Sequence, residues 1–132
     1  MSLIEWDESF SLRIPEIDAQ HKKLIEWISF LDDAVNQGEG GIIVNDIFCS
    51  LSRYVLEHFN DEEKLMLRYN FPGYQLHCLE HYFFTKWLME SMATRSDDEA
   101  LSITTVRFVT DWILLHIQGT DQFYSEFIHL QE

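Results

Sequence analysis

Residues that break helices are scarce in this sequence. Its 132 residues include 5 Gly and 2 Pro, too few for the many turns of a β-sandwich or β-barrel. Its 2 cysteines, Cys49 and Cys78, are too few for a disulfide scaffold and too far apart to form a C-x-x-C pair. We therefore expect an all-α protein in which both thiols are buried.

Positive charge is also scarce. The 9 Lys+Arg stand against 23 Asp+Glu, a net charge of −14, which would repel nucleic-acid phosphates and anionic lipids. No stretch of about 18 consecutive apolar residues occurs, and the acidic start MSLIEWDESF lacks the pattern of a signal peptide. We expect a cytoplasmic, monomeric protein that binds no nucleic acid and does not insert into a membrane.

Apolar residues are plentiful enough for one core. Hydrophobic residues make up 46% of the chain and aromatic residues 14%, and a chain of this length forms one domain rather than two. Residues 1–16 lack helical periodicity, so we predict an extended arm whose Trp6 and Phe10 cover one end of the core. Residues 17–132 would form the rest of a single domain spanning residues 1–132.

Four segments carry apolar residues at spacings of three and four, the pattern of amphipathic helices. Short polar stretches with Gly or Pro separate them. The predicted helices run from after Pro15 to about residue 36, from about 43 to 69, from Tyr74 to about 94, and from a cap at Ser96 or Asp97 to the C-terminus. This pattern predicts an up-and-down antiparallel four-helix bundle.

Polar residues interrupt the apolar stripes at His21, His58, Glu62, His77 and His81. A single histidine on such a face is usually an ordinary hydrogen-bonded core residue, so the distribution of the five matters more than any one of them. Residues four apart lie within about 40° of each other around a helix, so His58 joins Glu62, and His77 joins His81. Glu63, about 140° from His58, is expected to face water.

The fourth helix has its polar pair, His116 and Asp121, at a spacing of five. In a regular α-helix these side chains would point about 140° apart. One extra residue in the turn, a π-bulge, would bring them together, and Gly119 with Thr120 offers a place for it. We predict a departure from α geometry between His116 and Asp121.

Each predicted helix thus contributes at least one inward side chain that can bind a metal. These side chains are His21 on the first helix, His58 and Glu62 on the second, His77 and His81 on the third, and His116 and Asp121 on the fourth. Five imidazoles and two carboxylates exceed the three or four ligands of a single zinc. They suit a metal pair in a bundle core with one position open to a small diatomic ligand. The sixth histidine, His129, is expected on the surface near the C-terminus.

The stretch HCLEH, residues 77–81, also fits the inverted zincin motif H-x-x-E-H, in which a glutamate activates a zinc-bound water. A zinc hydrolase using Glu80 would leave the other inward polar residues unexplained. Around the helix, Glu80 lies about 60° from His77 and about 100° from His81. We therefore expect Glu80 on the rim of the site or in solvent.

The combined pattern resembles the hemerythrin family, and specifically its bacterial single-domain members. The similarity rests on IPEIDAQHKKLI, HFNDEEKLM, FPGYQLHCLEHYFF and WILLHIQGTDQFY in that order, together with the early Trp6 and Phe10. It covers most of the chain. One departure is Ser29, where relatives often carry Asn, but this is not a ligand position.

The resemblance implies two iron ions, Fe2+ or Fe3+, joined by a bridging oxide or hydroxide. Three histidines would bind one iron, two would bind the other, and two carboxylates would bridge them: His77, His81 and His116; His21 and His58; Glu62 and Asp121. Dioxygen would bind reversibly at the iron of the two-histidine set, for storage, delivery or buffering. The chain would then be a carrier and not an enzyme.

Two other functions stay open at this point. One is an oxygen or redox sensor that acts through a protein acceptor or signalling partner, and the other is a di-iron oxidase or peroxidase-like activity. In the dioxygen-binding protein, an apolar wall should surround the open position and keep out water that would speed autoxidation. Its candidates are Leu24, Ile28, Met66, Trp112 and Ile113, for which ordinary core packing is an equally good explanation.

Overall fold

The computed structural model describes residues 4–93 and 103–131. Over these ranges the chain forms an up-and-down antiparallel four-helix bundle without strands, which confirms the predicted fold. Its helices are α1 (Pro15–Asn36), α2 (Gly41–Arg68), α3 (Tyr74–Ala93) and a fourth helix divided into α4 (Ile103–Leu115) and α5 (Asp121–Leu130). The predicted caps Ser96 and Asp97 lie outside the described residues. None of the described helices combines the length and apolar character that a membrane span requires.

The first helix begins at Pro15 itself, slightly earlier than predicted. Proline suits the first helical position, because its fixed φ is already helical and the N–H it lacks would have no partner there. Glu16 and Asp18 follow in the first turn, where their charges favour the positive end of the helix dipole. The helix ends at Asn36, and Gly38 then adopts a φ of +70°, the left-handed conformation that commonly terminates helices.

The stretch NFPG separates α2 from α3, as predicted, and the bounds of both helices agree with the prediction to within two residues. Asn70 has a φ of 55°, a conformation that Asn tolerates better than most residues. The N–H of Phe71 donates to the carbonyl of Met66 at 3.0 Å, which closes the end of α2. This tight reversal brings α3 back alongside α2.

The fourth helix contains the predicted departure from α geometry. Residues His116–Thr120 form a π-helical turn between α4 and α5, so the prediction is confirmed. A Cβ atom at Gly119 would meet nothing within 4 Å, so steric space does not require a glycine in this turn. The turn places Asp121 on the same side of the helix as His116.

The described residues form two apolar clusters. Helix α1 packs against α2 and α4, and α2 packs against α3, while the rings of Phe84 and Trp112 stack 3.9 Å apart and join α3 to α4. Along α2 the larger cluster ends at Phe59 and the smaller one begins at Leu65. Glu62 lies between these two residues, so a polar layer separates the clusters.

The N-terminal arm is extended apart from one 3-10 turn at Glu8–Phe10. The prediction that the arm covers one end of the core is wrong in extent. Trp6 and Phe10 pack on the larger cluster, whereas Leu12 is buried in the smaller one. The carboxylate of Asp18 accepts the N–H of Leu12 at 2.8 Å. The arm therefore covers the side of the bundle and joins the two clusters.

The arm also explains why the expectation for His129 is wrong. This residue is half-buried, and its Nε2 lies 2.9 Å from the carbonyl oxygen of Leu12. Ser125, one turn earlier on α5, donates to the same carbonyl at 2.7 Å. A long-range contact with the arm thus holds the end of α5, which the spacing of residues within α5 does not reveal.

The two cysteines are free and only partly buried, so the expectation of buried thiols is wrong. Cys49 lies one residue after the buried Phe48, and Cys78 one residue after the buried His77. A step of one residue turns a helix by about 100°. Each thiol therefore lies at the edge of the core and not within it.

Candidate metal centre

Seven polar side chains meet in the polar layer between the two clusters. All are buried, with at most 5% of each residue exposed. They form two overlapping groups, in each of which the possible ligand atoms lie within 4.8 Å of one another. The first group contains His77, His81 and His116, the second contains His21 and His58, and both groups contain Glu62 and Asp121.

Each carboxylate presents one oxygen to each group. Glu62 Oε1 lies 3.2 Å from Nε2 of His81, whereas Glu62 Oε2 lies 3.4 Å from Nε2 of His58. Asp121 Oδ1 lies 3.0 Å from Nε2 of His116, whereas Asp121 Oδ2 lies 3.2 Å from Nε2 of His21. Both carboxylates therefore span the two groups in the way that a carboxylate bridges two metal ions.

The imidazole nitrogens are spaced like donors to a shared ion. Nε2 of His21 lies 3.0 Å from Nε2 of His58, and Nε2 of His81 lies 3.1 Å from Nε2 of His116. Two nitrogens bound at right angles to one first-row metal, each at about 2.1 Å, would be about 3 Å apart. Each group thus has the spacing expected of neighbouring ligands.

Several of these buried atoms have no hydrogen-bond partner within the described part of the chain. They are Nε2 of His77, Oε1 of Glu62 and both carboxylate oxygens of Asp121. Leaving a buried polar group without a partner costs about 1–3 kcal/mol. A cation between these atoms would satisfy them together, so the donor set fits a pair of bound metal ions.

Two histidines are oriented from outside the cluster. Nδ1 of His58 lies 2.6 Å from Oε1 of Gln20, and the amide nitrogen of Gln20 donates to Asp61 at 2.8 Å. Because Asp61 accepts from that nitrogen, the carbonyl oxygen of Gln20 is left to accept a proton from Nδ1 of His58. This arrangement leaves Nε2 of His58 free of a proton and able to bind a metal.

Glu63 performs the same task for His81, and the expectation that Glu63 faces water is wrong. Its carboxylate lies 2.8 Å from Nδ1 of His81, with 31% of the Glu63 side chain exposed. Angular positions on α2 alone do not show this contact, because the partner of Glu63, His81, lies on α3. One group is thus oriented by a carboxylate and the other by the neutral amide of Gln20.

Replacing Glu63 with glutamine is expected to weaken binding of ferrous iron about 10-fold to 100-fold, the range for loss of a partner that orients a ligand. The amide keeps the size of the side chain, and its oxygen can still accept from Nδ1 of His81, but it removes the negative charge that strengthens this hydrogen bond and makes the imidazole a better donor to a metal. Anaerobic titration against a coloured iron chelator measures the affinity. Glu57→Gln, an exposed position on the same helix, is the matched control, and equal affinities for the two variants would contradict the prediction.

Aromatic residues surround the cluster. The hydroxyl of Tyr124 donates to Oε2 of Glu62 at 2.6 Å, and the ring of Phe59 stacks on His81 with centroids 3.7 Å apart. Trp112 stacks on His116 at 4.5 Å. The predicted site did not include Tyr124, Phe59 or Gln20. For Tyr124 a signal existed, because it follows Asp121 by three residues and so shares its helix face.

The cluster carries protons when no metal is present. Burial alone would lower the pKa of His21, but the carboxylates of Asp121 and Glu62 outweigh it and raise that pKa to about 9. The same balance raises the pKa of His77 to about 9. Burial opposes ionisation of Glu62 and Asp121, yet the surrounding histidines hold the pKa of both carboxyl groups below the usual range. Protons thus neutralise the site in place of cations.

Glu80 lies on the rim of the site, as expected from its position on α3. It is exposed, its Oε2 lies 3.9 Å from Nδ1 of His116, and it accepts a hydrogen bond from Thr120 at 3.4 Å. It does not belong to either group of converging ligand atoms. The two histidines of HCLEH share the centre with His116, and the glutamate between them does not.

The five candidates for the apolar wall fall into two places. Leu24, Ile28 and Ile113 are buried in the larger cluster, with Trp112 packed against it at the His116 side. Met66 is buried in the smaller cluster. Their role around an open coordination position stays a prediction.

Known proteins are similar to this chain in sequence. The family model described as Hemerythrin HHE cation binding domain matches residues 12–127. The chain is 28% identical to bacteriohemerythrin of Stenotrophomonas maltophilia over 126 residues, which cover 96% of this chain and 82% of that protein. It is 29% identical to myohemerythrin of Riftia pachyptila over 120 residues, which cover 91% of this chain and 89% of that protein.

Solved structures agree in fold. A crystal structure of a hemerythrin carrying a leucine-to-alanine substitution superposes with a TM-score of 0.87 at 25% identity, over 96% of this chain and 97% of that one. A crystal structure of wild-type hemerythrin superposes with a TM-score of 0.86 at 24% identity, over 95% of this chain and 97% of that one. The four-helix arrangement is therefore common to all three structures.

Proposed function

Because this chain belongs to the hemerythrin family, we propose that its buried cluster holds two iron ions and binds dioxygen reversibly. The main support for this proposal is that the two oxygens of each carboxylate point to different groups of histidines. Glu62 and Asp121 each direct one oxygen to the three-histidine group and the other to the two-histidine group. A site for a single ion would have no use for two carboxylates that both span two sets of imidazoles.

The donor chemistry favours iron over a structural zinc pair. Mixed imidazole and carboxylate donors suit iron, manganese, copper or zinc, and the resemblance to hemerythrins selects iron among them. Iron bound here would supply the redox chemistry by which dioxygen is held and released. The protein contributes the bridging carboxylates, the outer partners that fix the imidazoles, and apolar surroundings that exclude water.

The two groups differ in the number of donors. The three-histidine group offers five donors, three imidazoles and two carboxylate oxygens, and the two-histidine group offers four, two imidazoles and two carboxylate oxygens. With six positions on each ion and one shared bridging oxygen, the first ion would be saturated and the second would keep one position open. We place the dioxygen site on the side of His21 and His58.

The small number of anionic ligands favours a carrier over an oxidase. Ferritin-like di-iron sites use four glutamates with two histidines, whereas only Glu62 and Asp121 are anionic among the seven ligands here. Fewer anionic donors stabilise high oxidation states less.

Anaerobic loading with ferrous iron, followed by cycles of air and argon, tests the proposal. We expect about two irons per chain, one for each group of ligands. We also expect a visible absorption band that appears in air and disappears under argon over repeated cycles. If the first exposure to air changed the iron site irreversibly, the carrier function would be contradicted, and a redox sensor or an oxidase would be favoured. Binding of fewer than two irons would contradict the di-iron centre itself.

A further inference from the structure

A small cavity lies on the surface beside the three-histidine group. It has a volume of about 130 Å³, and its lining consists of Glu80, Trp112, Leu115, His116 and Thr120. A water molecule in the liquid occupies about 30 Å³, so the cavity can hold a few waters or a partly hydrated ion. Because His116 belongs to the ligand cluster, the cavity borders the metal centre directly.

The imidazole of His116 separates this cavity from the buried cluster. Its Nε2 faces the cluster, 3.0 Å from Oδ1 of Asp121, and its Nδ1 lies 3.9 Å from Oε2 of Glu80. His116 is also the most exposed of the seven clustered residues, at 5%. A single side chain therefore lies between the cavity and the other ligands at this point.

The carboxylate of Glu80 is not held by a short contact as that of Glu63 is. Glu63 lies 2.8 Å from Nδ1 of His81 and orients that imidazole. Among the described residues, the polar contacts of Glu80 are 3.4 Å to Thr120 and 3.9 Å to His116. A separation of 3.9 Å is too long for a direct hydrogen bond, and 49% of the Glu80 side chain is exposed. Its oxygens are therefore available to a cation from solvent.

A second, larger cavity reaches the same carboxylate. It has a volume of about 540 Å³, and His77, Glu80 and Thr120 are among its lining residues. Glu80 is the one Asp, Glu, Lys or Arg in that lining, so it is the group there that attracts a cation. The cavity beside His116 and the cavity beside His77 thus share Glu80 and Thr120.

We propose that Glu80 is an entry ligand, which binds a divalent metal ion briefly before the ion reaches the buried centre. Divalent ions such as ferrous iron accept carboxylate oxygen as a ligand, and Thr120 offers a hydroxyl oxygen in the same cavity. An ion held there is one imidazole away from the three-histidine group. The glutamate of HCLEH, which is not among the seven clustered ligands, thereby serves the filling of the site and not the filled site.

This inference rests on the proposed metal centre, but it concerns the rate at which the centre fills. A residue on the path of an ion changes the rates of uptake and release by the same factor, because the dissociation constant is the ratio of the two. A residue that binds the ion in the final site, or that orients a ligand, changes the dissociation constant itself. The two roles of Glu80 can therefore be distinguished by kinetics.

Stopped-flow mixing of the metal-free full chain with Co2+, followed by the visible absorption of the bound ion, measures uptake. An excess of EDTA, at concentrations that no longer affect the rate, measures release. We expect Glu80→Gln to slow both processes roughly tenfold. The stoichiometry of about two ions per chain and the dissociation constant should stay unchanged.

Two further variants separate the cavity from the general attraction of a negative protein for cations. Glu90→Gln makes the same change of charge at an exposed position on α3, and it should keep the wild-type rates. Glu80→Asp keeps the carboxylate on a shorter side chain, and it should keep most of the wild-type rate of uptake.

Three outcomes would overturn the proposal. In the first, Glu80→Gln takes up cobalt as fast as the wild type does, which removes the route and leaves the centre intact. In the second, Glu90→Gln slows uptake as much as Glu80→Gln, which would assign the effect to the net charge of −14. In the third, Glu80→Gln weakens the affinity through faster release alone, which would make Glu80 a residue that orients His116. A wild-type chain that bound fewer than two cobalt ions would remove the centre and the route together.

Discussion

Replacing Glu62 with glutamine is expected to reduce iron binding from about two ions per chain to about one, because Glu62 serves both groups of ligands. Glutamine keeps the volume of the side chain, but it has one oxygen donor and an amide nitrogen that does not bind iron. It can therefore complete only one of the two coordination sets. It also loses the negative charge of Glu62, whose Oε2 accepts a hydrogen bond from the hydroxyl of Tyr124 at 2.6 Å.

The iron content after anaerobic loading and desalting measures this effect. Glu57→Gln makes the same chemical change at an exposed site on the same helix, so it should keep two ions. The visible band in air should also be lost in Glu62→Gln and retained in Glu57→Gln. If Glu62→Gln still bound two irons with wild-type affinity, Glu62 would not be a bridging ligand.

The metal-free protein is expected to lose stability as the pH rises from about 6.5 to about 9. Folding raises the pKa of His21 and His77 from 6.5 to about 9. Protonation of these groups therefore stabilises the folded state fully below pH 6.5 and ceases to do so above pH 9. For one imidazole with such a shift the effect is on the order of 3 kcal/mol.

The carboxyl groups set the acidic limit of this stability. Folding lowers the pKa of Glu62 and Asp121, so their contribution is present above their ordinary values of 4.5 and 3.8 and disappears as the pH falls further. The metal-free chain should accordingly be most stable between about pH 4.5 and 6.5. Urea denaturation at a series of pH values measures the free energy of unfolding directly.

Iron loading should reverse this dependence. Metal-bound imidazoles must be neutral, so acid weakens binding and the loaded protein loses stability as the pH falls. Between pH 6.5 and 9 the loaded protein should show no loss. A metal-free protein whose unfolding free energy stays constant or increases from pH 6.5 to 9 would contradict the raised pKa of His21 and His77.

The residues missed by sequence reasoning share one physical property. Glu63 and Gln20 act on histidines from neighbouring helices, and His129 contacts a carbonyl of the arm. Angular positions on a single helix cannot reveal such contacts, because they depend on how two helices are placed relative to each other. The pairing of His77 with His81 could be predicted, because both residues lie on one helix and their relative positions do not depend on a second helix.

The sequence by itself determined the helices, the inward side of each one, and the break in α geometry between His116 and Asp121. These follow from the helical repeat, which acts over one turn. Only the tertiary structure decided that the oxygens of Glu62 and Asp121 divide between two sets of imidazoles. It also decided that Leu76, Leu79 and Phe83 on the outer face of α3 are exposed. Both depend on packing between segments distant in the chain. The way the four helices pack against one another decides which atoms meet there, and the repeat along a single helix does not.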